Sequence, residues 1–111
     1  MTKEQLRSYQ TIKKEKCQIE QRLRSLEKRP ESEEESLQPL REFYRKKLDE
    51  LVALQVSIEK AIDSLGPVER ELFRCRYIDG LEWHQVTAKI NYSWAQTHRI
   101  HAAALIKLKD K

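Results

Sequence analysis

The chain is poor in the residues that interrupt helices: of 111 residues, two are glycine and three are proline. That scarcity argues against a turn-rich β sandwich and for long, uninterrupted helices. Cysteine is also scarce. Cys17 and Cys75 lie far apart in helical patterns, which excludes a disulfide framework and a C-x-x-C motif and implies reduced thiols in a cytoplasmic protein. No apolar run approaches the roughly 18 residues of a membrane span. No basic-then-apolar segment of the secretory kind opens the sequence. A glycine-rich phosphate loop and a nucleophile elbow are both missing, so the expectation is no enzyme, no cofactor and no small-molecule substrate. Neither charge sign dominates. Lys and Arg number 22 and Asp and Glu 18, a net charge of +4. With 36% charged and 39% hydrophobic residues, the chain suits one small domain carrying a helical arm.

What is present is unevenly placed. Residues 1–29 hold nine basic and four acidic side chains, residues 30–36 are purely acidic at −4, residues 37–64 balance to zero, and residues 65–111 carry eight basic against five acidic groups. Two long helices come first. Gln5, Tyr9, Ile12, Lys16, Ile19, Leu23 and Leu26 alternate steps of four and three, a heptad seam with polar interruptions. Pro30 ends it, because a residue before proline is pushed out of the α region. The acidic stretch 30–36 reads as a linker, and helix resumes near Leu37. Leu37, Leu40, Tyr44, Lys47, Leu51, Leu54, Ile58, Ala61 and Leu65 form the second seam, widened by Phe43, Leu48 and Val52. Each helix spans about 25 residues, or ~38 Å. A connector this short favours an antiparallel hairpin, a coiled-coil arm over residues 1–64. Its apolar area is small for an isolated hairpin. The leftover stripe therefore packs on the C-terminal module or forms a homodimer.

The C-terminal third, residues 65–111, reads as three short helices. Gly66-Pro67 breaks the pattern, and Pro67 suits a first helical turn. Val68, Leu72, Cys75 and Tyr77 form the buried face, and Asp79-Gly80 closes the helix. A second helix covers roughly Glu82 to Lys89, with Leu81 and Val86 spaced as a hydrophobic staple. Asn91 tolerates the left-handed C-cap conformation. Ser93 and Gln96 form a capping box that opens a last helix running to about Lys109. Thr97, Ile100, Ala104, Leu105 and Leu108 are its apolar face. Helix, tight turn and capped helix make a helix-turn-helix layout.

At 100° per residue, Ala95, His98, Arg99 and Ala102 point away from that apolar face, and Trp94 and Gln96 sit at its edges. The N-terminal half of the last helix is therefore the part available to a DNA major groove. Arg99 can bond guanine bidentately, and Gln96 or His98 can reach base edges. Trp94 and Ala95 complete the reading face. Ser93 and the first amides suit a phosphate. Lys89, Arg74, Arg76 and Lys107, with Lys109 and Lys111, are expected backbone contacts. The spacing His98-x-x-His101 hints at a metal pair, yet no Cys or carboxylate motif accompanies it and His101 faces the buried side, so no metal site is expected. Cys75, on an apolar face, reads as inert packing. Trp83 reads as packing between helices.

At Arg70–Leu81, Gln85–Thr87, Ile90–Ser93 and Ile100–Leu108 the chain resembles region 4 of bacterial sigma-70-type factors. In that pattern an Arg-and-aromatic segment is followed by a short helix, a turn ending in Ser, and a recognition helix ending in Ala-Leu-x-x-Leu. The resemblance covers Leu65 to Lys111. The whole chain, with its Lys-rich arm, is similar to short phage-encoded regulators of Gram-positive prophages and to late-gene activators of the ArpU and RinA type. The resemblance implies a recognition helix that reads promoter DNA through Trp94, Ala95, His98 and Arg99, and docking on RNA polymerase. It departs from the family where Trp94 replaces Arg, Ala95 replaces Glu, Thr97 replaces a β-branched apolar residue, Asn91 replaces the turn glycine and Thr87 replaces a small residue. The family's −35 specificity therefore does not carry over. There is no room for the domain that melts promoter DNA, so the implied function is an activator or repressor rather than a polymerase subunit. Two alternatives share these features. One is a DNA-packaging protein of small-terminase kind, and the other is a polymerase-binding helical adaptor without DNA affinity.

Overall fold

A computed structural model describes residues 1–29 and 34–109. Every regular element among the described residues is helical: α1 (Lys3–Arg7), α2 (Tyr9–Glu27), α3 (Glu34–Asp63), α4 (Pro67–Phe73) running into a π-helical turn (Arg74–Ile78), α5 (Trp83–Ile90) and α6 (Trp94–Lys109). No helix among them is long and apolar enough to cross a membrane. The expected linker falls partly at residues 30–33, outside the described residues, and α3 begins at Glu34, ahead of the expected Leu37.

The chain divides into two compact units. One is Met1–Gln10 with Val56–Lys111, and the other is Thr11–Gln55. The division falls away from residue 64, where the helical periodicity changes, because the first ten residues pack with the C-terminal third. Thr2 and Gln5 begin α1 with a capping box: the Gln5 N–H donates to Thr2 Oγ1 at 3.2 Å and the Thr2 N–H donates to Gln5 Oε1 at 2.8 Å. Gln5 is thus a cap residue, and Leu6 beside it is fully buried. Ser8 interrupts the helix, with its hydroxyl donating to the Gln5 carbonyl at 2.6 Å. Gln10 then donates from Nε2 to the carbonyls of Tyr77 at 2.9 Å and Ile78 at 2.7 Å. The α-amino group of Met1 donates to the Leu108 carbonyl at 2.9 Å. These contacts tie the N-terminal turn to the end of α6 and to the π turn.

Residues 11–55 are the second unit. Ile12, Leu26 and Leu51 are buried there. The buried register of α3 corrects the expected seam at Leu40, Lys47 and Leu54, which are exposed, while Ala61 is half-buried and Leu48 lies inward as expected. Leu37, Tyr44, Leu51, Ile58 and Leu65 are at least half-buried as expected. Their partners on that face are Arg41, Leu48, Gln55 and Ile62, each one residue beyond Leu40, Lys47, Leu54 and Ala61. A helix position three or four residues on lies within about 60° of the first, so either register is geometrically open. Leu40 and Leu54 are exposed, whereas Arg41 and Gln55 are buried. Arg41 fits because its aliphatic stem covers apolar surface while Nη2 donates to the Leu26 carbonyl at 2.9 Å, in the last turn of α2.

The three C-terminal helices pack on one another. Gly66 precedes Pro67 at the start of α4. The π turn was not foreseen. It inserts one residue into the last turn, and the Asp79 N–H donates to the Arg74 carbonyl at 2.9 Å. Gly80 closes it at φ +71°. The wider turn brings Leu72, Phe73, Cys75 and Tyr77 into the core together. Val68, expected with them, is 39% exposed.

Candidate nucleic-acid interface

The turn between α5 and α6 is built as its residue types demand. Asn91 ends α5 at φ 61°, ψ 41°, the left-handed region that Asn tolerates better than other side-chain-bearing residues. At the other end of α5, the Glu82 N–H donates to Gln85 Oε1 at 2.9 Å. Ser93 caps α6, accepting the Gln96 N–H on Oγ at 3.2 Å and donating that hydroxyl to Gln96 Oε1 at 3.3 Å. Only Asn91, Tyr92 and Ser93 separate the two helices.

The buried side of α6 is Thr97, His101, Ala104 and Leu108, with Ile100 and Leu105 half-buried. Its opposite side carries Ala95, Arg99, Ala102 and Ala103, all exposed, with Gln96 exposed at the edge. Arg99 lies along the helix surface, its Nε donating to the Ala95 carbonyl at 3.4 Å. A long, weak bond on an exposed side chain releases at little cost.

Trp94 is 58% exposed and forms the end of an aromatic stack. His98 lies between two indoles, 4.5 Å from the Trp94 ring centre and 4.4 Å from Trp83. The Arg76 guanidinium sits 4.8 Å over the Trp83 ring, a cation–π geometry. Its Nη1 donates to the Leu81 carbonyl at 2.8 Å. Below the stack, Tyr77 Oη and His101 Nε2 are 2.6 Å apart, and the His101 ring packs 5.2 Å from Phe73. Burial lowers the His101 pKa from 6.5 to about 4, and the nearby positive charges of Lys3, His98 and Arg76 push the same way.

The expected contact residues fall into two groups. Trp94, Ala95, Gln96 and Arg99 share the exposed N-terminal half of α6, with Ser93 at its cap. Lys89 is exposed on α5. The others contact other side chains of the same unit. His98 is half-buried, and its Nε2 has no hydrogen-bond partner among the described residues. Arg76 braces Trp83. Arg74 pairs with Asp63 at 3.2 Å, and Lys107 pairs with Glu69 at 2.7 Å. The Arg74–Asp63 pair is exposed on both sides, and such pairs contribute about 0–1 kcal/mol and exchange partners easily, whereas Glu69 is largely buried, so Lys107 is held more firmly.

The His98-x-x-His101 spacing does not assemble a ligand pair, since His101 Nε2 is occupied by the Tyr77 hydroxyl. No group of three His, Cys, Asp or Glu side chains capable of holding a metal occurs among the described residues. Cys75 is buried, its thiol donates towards Glu71 Oε1 at 3.6 Å, and burial followed by the Glu71 carboxylate raises its pKa. A thiol so held stays protonated and unreactive.

Sequence reasoning missed Leu6, Gln10 and Phe73 as parts of this unit. The Thr2-x-x-Gln5 capping box was a readable signal that the first residues are ordered. Nothing local announces a glutamine whose partners lie 67 and 68 residues away. No protein-family model matches the chain, and neither a curated protein nor a solved structure matches it.

Proposed function

We propose that residues 65–111 form a helix-turn-helix of the sigma region 4 type, that residues 11–55 form an antiparallel helical hairpin, and that the protein is a phage-type transcriptional regulator binding duplex DNA. In this reading α6 enters the major groove by its N-terminal half. The observation that carries it is the division of α6 into a sealed side, Thr97, His101, Ala104 and Leu108, and an open side with Ala95, Arg99 and Ala102. The three-residue turn with its left-handed Asn91 and Ser93 cap supports the same reading.

Arg99 is the base-reading cation, and Gln96 is the polar neighbour that reaches a base edge. Trp94, Ala95 and Ala102 offer apolar contact, the chemistry that recognises the thymine methyl group. His98 holds Trp94 at the rim of the groove. Lys89, Arg74 and Lys107 neutralise phosphates, and Arg76 contributes field rather than contact. One arginine and one glutamine make a weak half-site reader, so two copies on two half-sites are required for useful affinity. Contact with RNA polymerase and a cytoplasmic location belong to this proposal and rest on the resemblance and the reduced cysteines alone.

Selection of bound sequences from random duplex DNA by the full chain tests the reading. A recurrent motif is the expected outcome. Absence of enrichment at low salt, where phosphate contacts are strongest, refutes DNA binding and leaves the adaptor reading. Enrichment of no motif by a ring-shaped assembly favours the packaging reading instead.

A further inference from the structure

The corrected register of α3 leaves a second, continuous stripe uncovered. Leu40, Phe43, Lys47, Glu50 and Leu54 step by three, four, three and four, which places them on one line of the helix about 100° round from the buried face. Leu40 is 40% exposed, Phe43 62% and Leu54 52%. Lys47 and Glu50 are exposed between them, and neither forms an ion pair with any described side chain.

We propose that this stripe is a homotypic interface: α3 pairs with α3 of a second copy, antiparallel, about a two-fold axis between residues 48 and 49. Between residues 43 and 54 the stripe is self-complementary in that register, while Leu40 of each copy lies opposite the exposed Ser57 of the other. Phe43 of each copy meets Leu54 of the other, and Lys47 of each meets Glu50 of the other. Both pairings require the same offset, and it is the offset at which antiparallel coiled-coil layers align. An apolar partner of arbitrary sequence would leave Lys47 and Glu50 unmatched, whereas a second copy satisfies both charges twice. Opposite charges at such layers fix register and orientation, which a plain leucine stripe does not. The contact is short, well below the ~800 Å² that each partner gives to a standard stable interface. The dimer is therefore a weak one, strengthened when both copies hold one DNA molecule. This names the interface for the dimer of the functional reading, but its test is read without DNA, so either fails alone.

The experiment is sedimentation velocity on the full-length chain over a concentration series, with circular dichroism confirming that each variant stays helical. The wild type is expected to self-associate reversibly to a dimer. Phe43→Glu and Leu54→Glu, both at exposed positions, should each weaken association at least about tenfold. Lys47→Glu alone and Glu50→Lys alone place like charges opposite each other twice, and each should weaken it similarly. Mixing those two single variants should restore a dimer, now a heterodimer, because every contact becomes complementary. A wild type that stays monomeric, a dimer indifferent to Phe43→Glu and Leu54→Glu, or single charge variants that fail to pair when mixed would each overturn the proposal.

Discussion

Acidification should strike the C-terminal unit at His101. The ring is 6% exposed, lies 2.6 Å from the Tyr77 hydroxyl and titrates at about 4 rather than 6.5. Because the folded-state value is depressed, the unfolded chain takes up the proton first as pH falls. Stability is then lost from about pH 6.5 down to about pH 4 and is fully present above that window. One pKa unit corresponds to about 1.36 kcal/mol. Between about pH 7 and about pH 4.5 the loss attributable to this histidine is about 2 kcal/mol, a large share of the stability of a small domain. The assay is urea denaturation at both pH values for wild type and His101→Gln. Glutamine does not titrate and offers a polar group to the Tyr77 hydroxyl. Carboxylates titrate in the same range, but they do so in both proteins and cancel. The wild type should lose about 2 kcal/mol more than the variant between the two conditions. Equal losses would show that the buried imidazole is not the group that senses acid.

Two further outcomes follow from the geometry. Leu6→Ala removes a fully buried side chain and should lower stability in urea denaturation by about 2–5 kcal/mol; a change within the ~0.5 kcal/mol of ordinary surface substitutions would mean α1 is not docked. Replacing thymine by deoxyuridine within a selected site deletes only the methyl group, and each methyl touched by Trp94, Ala95 or Ala102 should cost about 0.8 kcal/mol, roughly fourfold in affinity; unchanged binding at every thymine would remove the apolar part of the reading face.

The boundaries of α5 and α6 were legible because caps are local. A left-handed asparagine and a serine with glutamine three residues on constrain the backbone within one turn. The register of α3 was only half legible. Leu40 and Leu54 are more hydrophobic than Arg41 and Gln55, so residue type favoured the wrong alternate positions. Which of two adjacent lines faces inward depends on what lies opposite, and here the Leu26 carbonyl recruits Arg41. The π turn was illegible, since nothing in the residues 74–78 marks an inserted position, although it sets the register by which Cys75 and Tyr77 follow Leu72 and Phe73 into the core. Docking of the first ten residues was illegible for another reason: Gln10 and Leu6 are ordinary helix residues until the distant π turn is in place. In the candidate interface, the position of Arg99 follows from helical periodicity alone. The withdrawal of His98 between Trp83 and Trp94 depends on the packing of α5 against α6, which no single-helix projection contains.

Whether the open side of α6 reads duplex DNA, as we propose, is decided by the equilibrium affinity of Arg99→Ala for a duplex selected by the wild type. Arg99→Ala should lose about 1–3 kcal/mol with relaxed preference at one base pair, while Lys109→Ala should only lower the salt dependence by about one unit of slope. Equal affinity of wild type and Arg99→Ala for that duplex would contradict it.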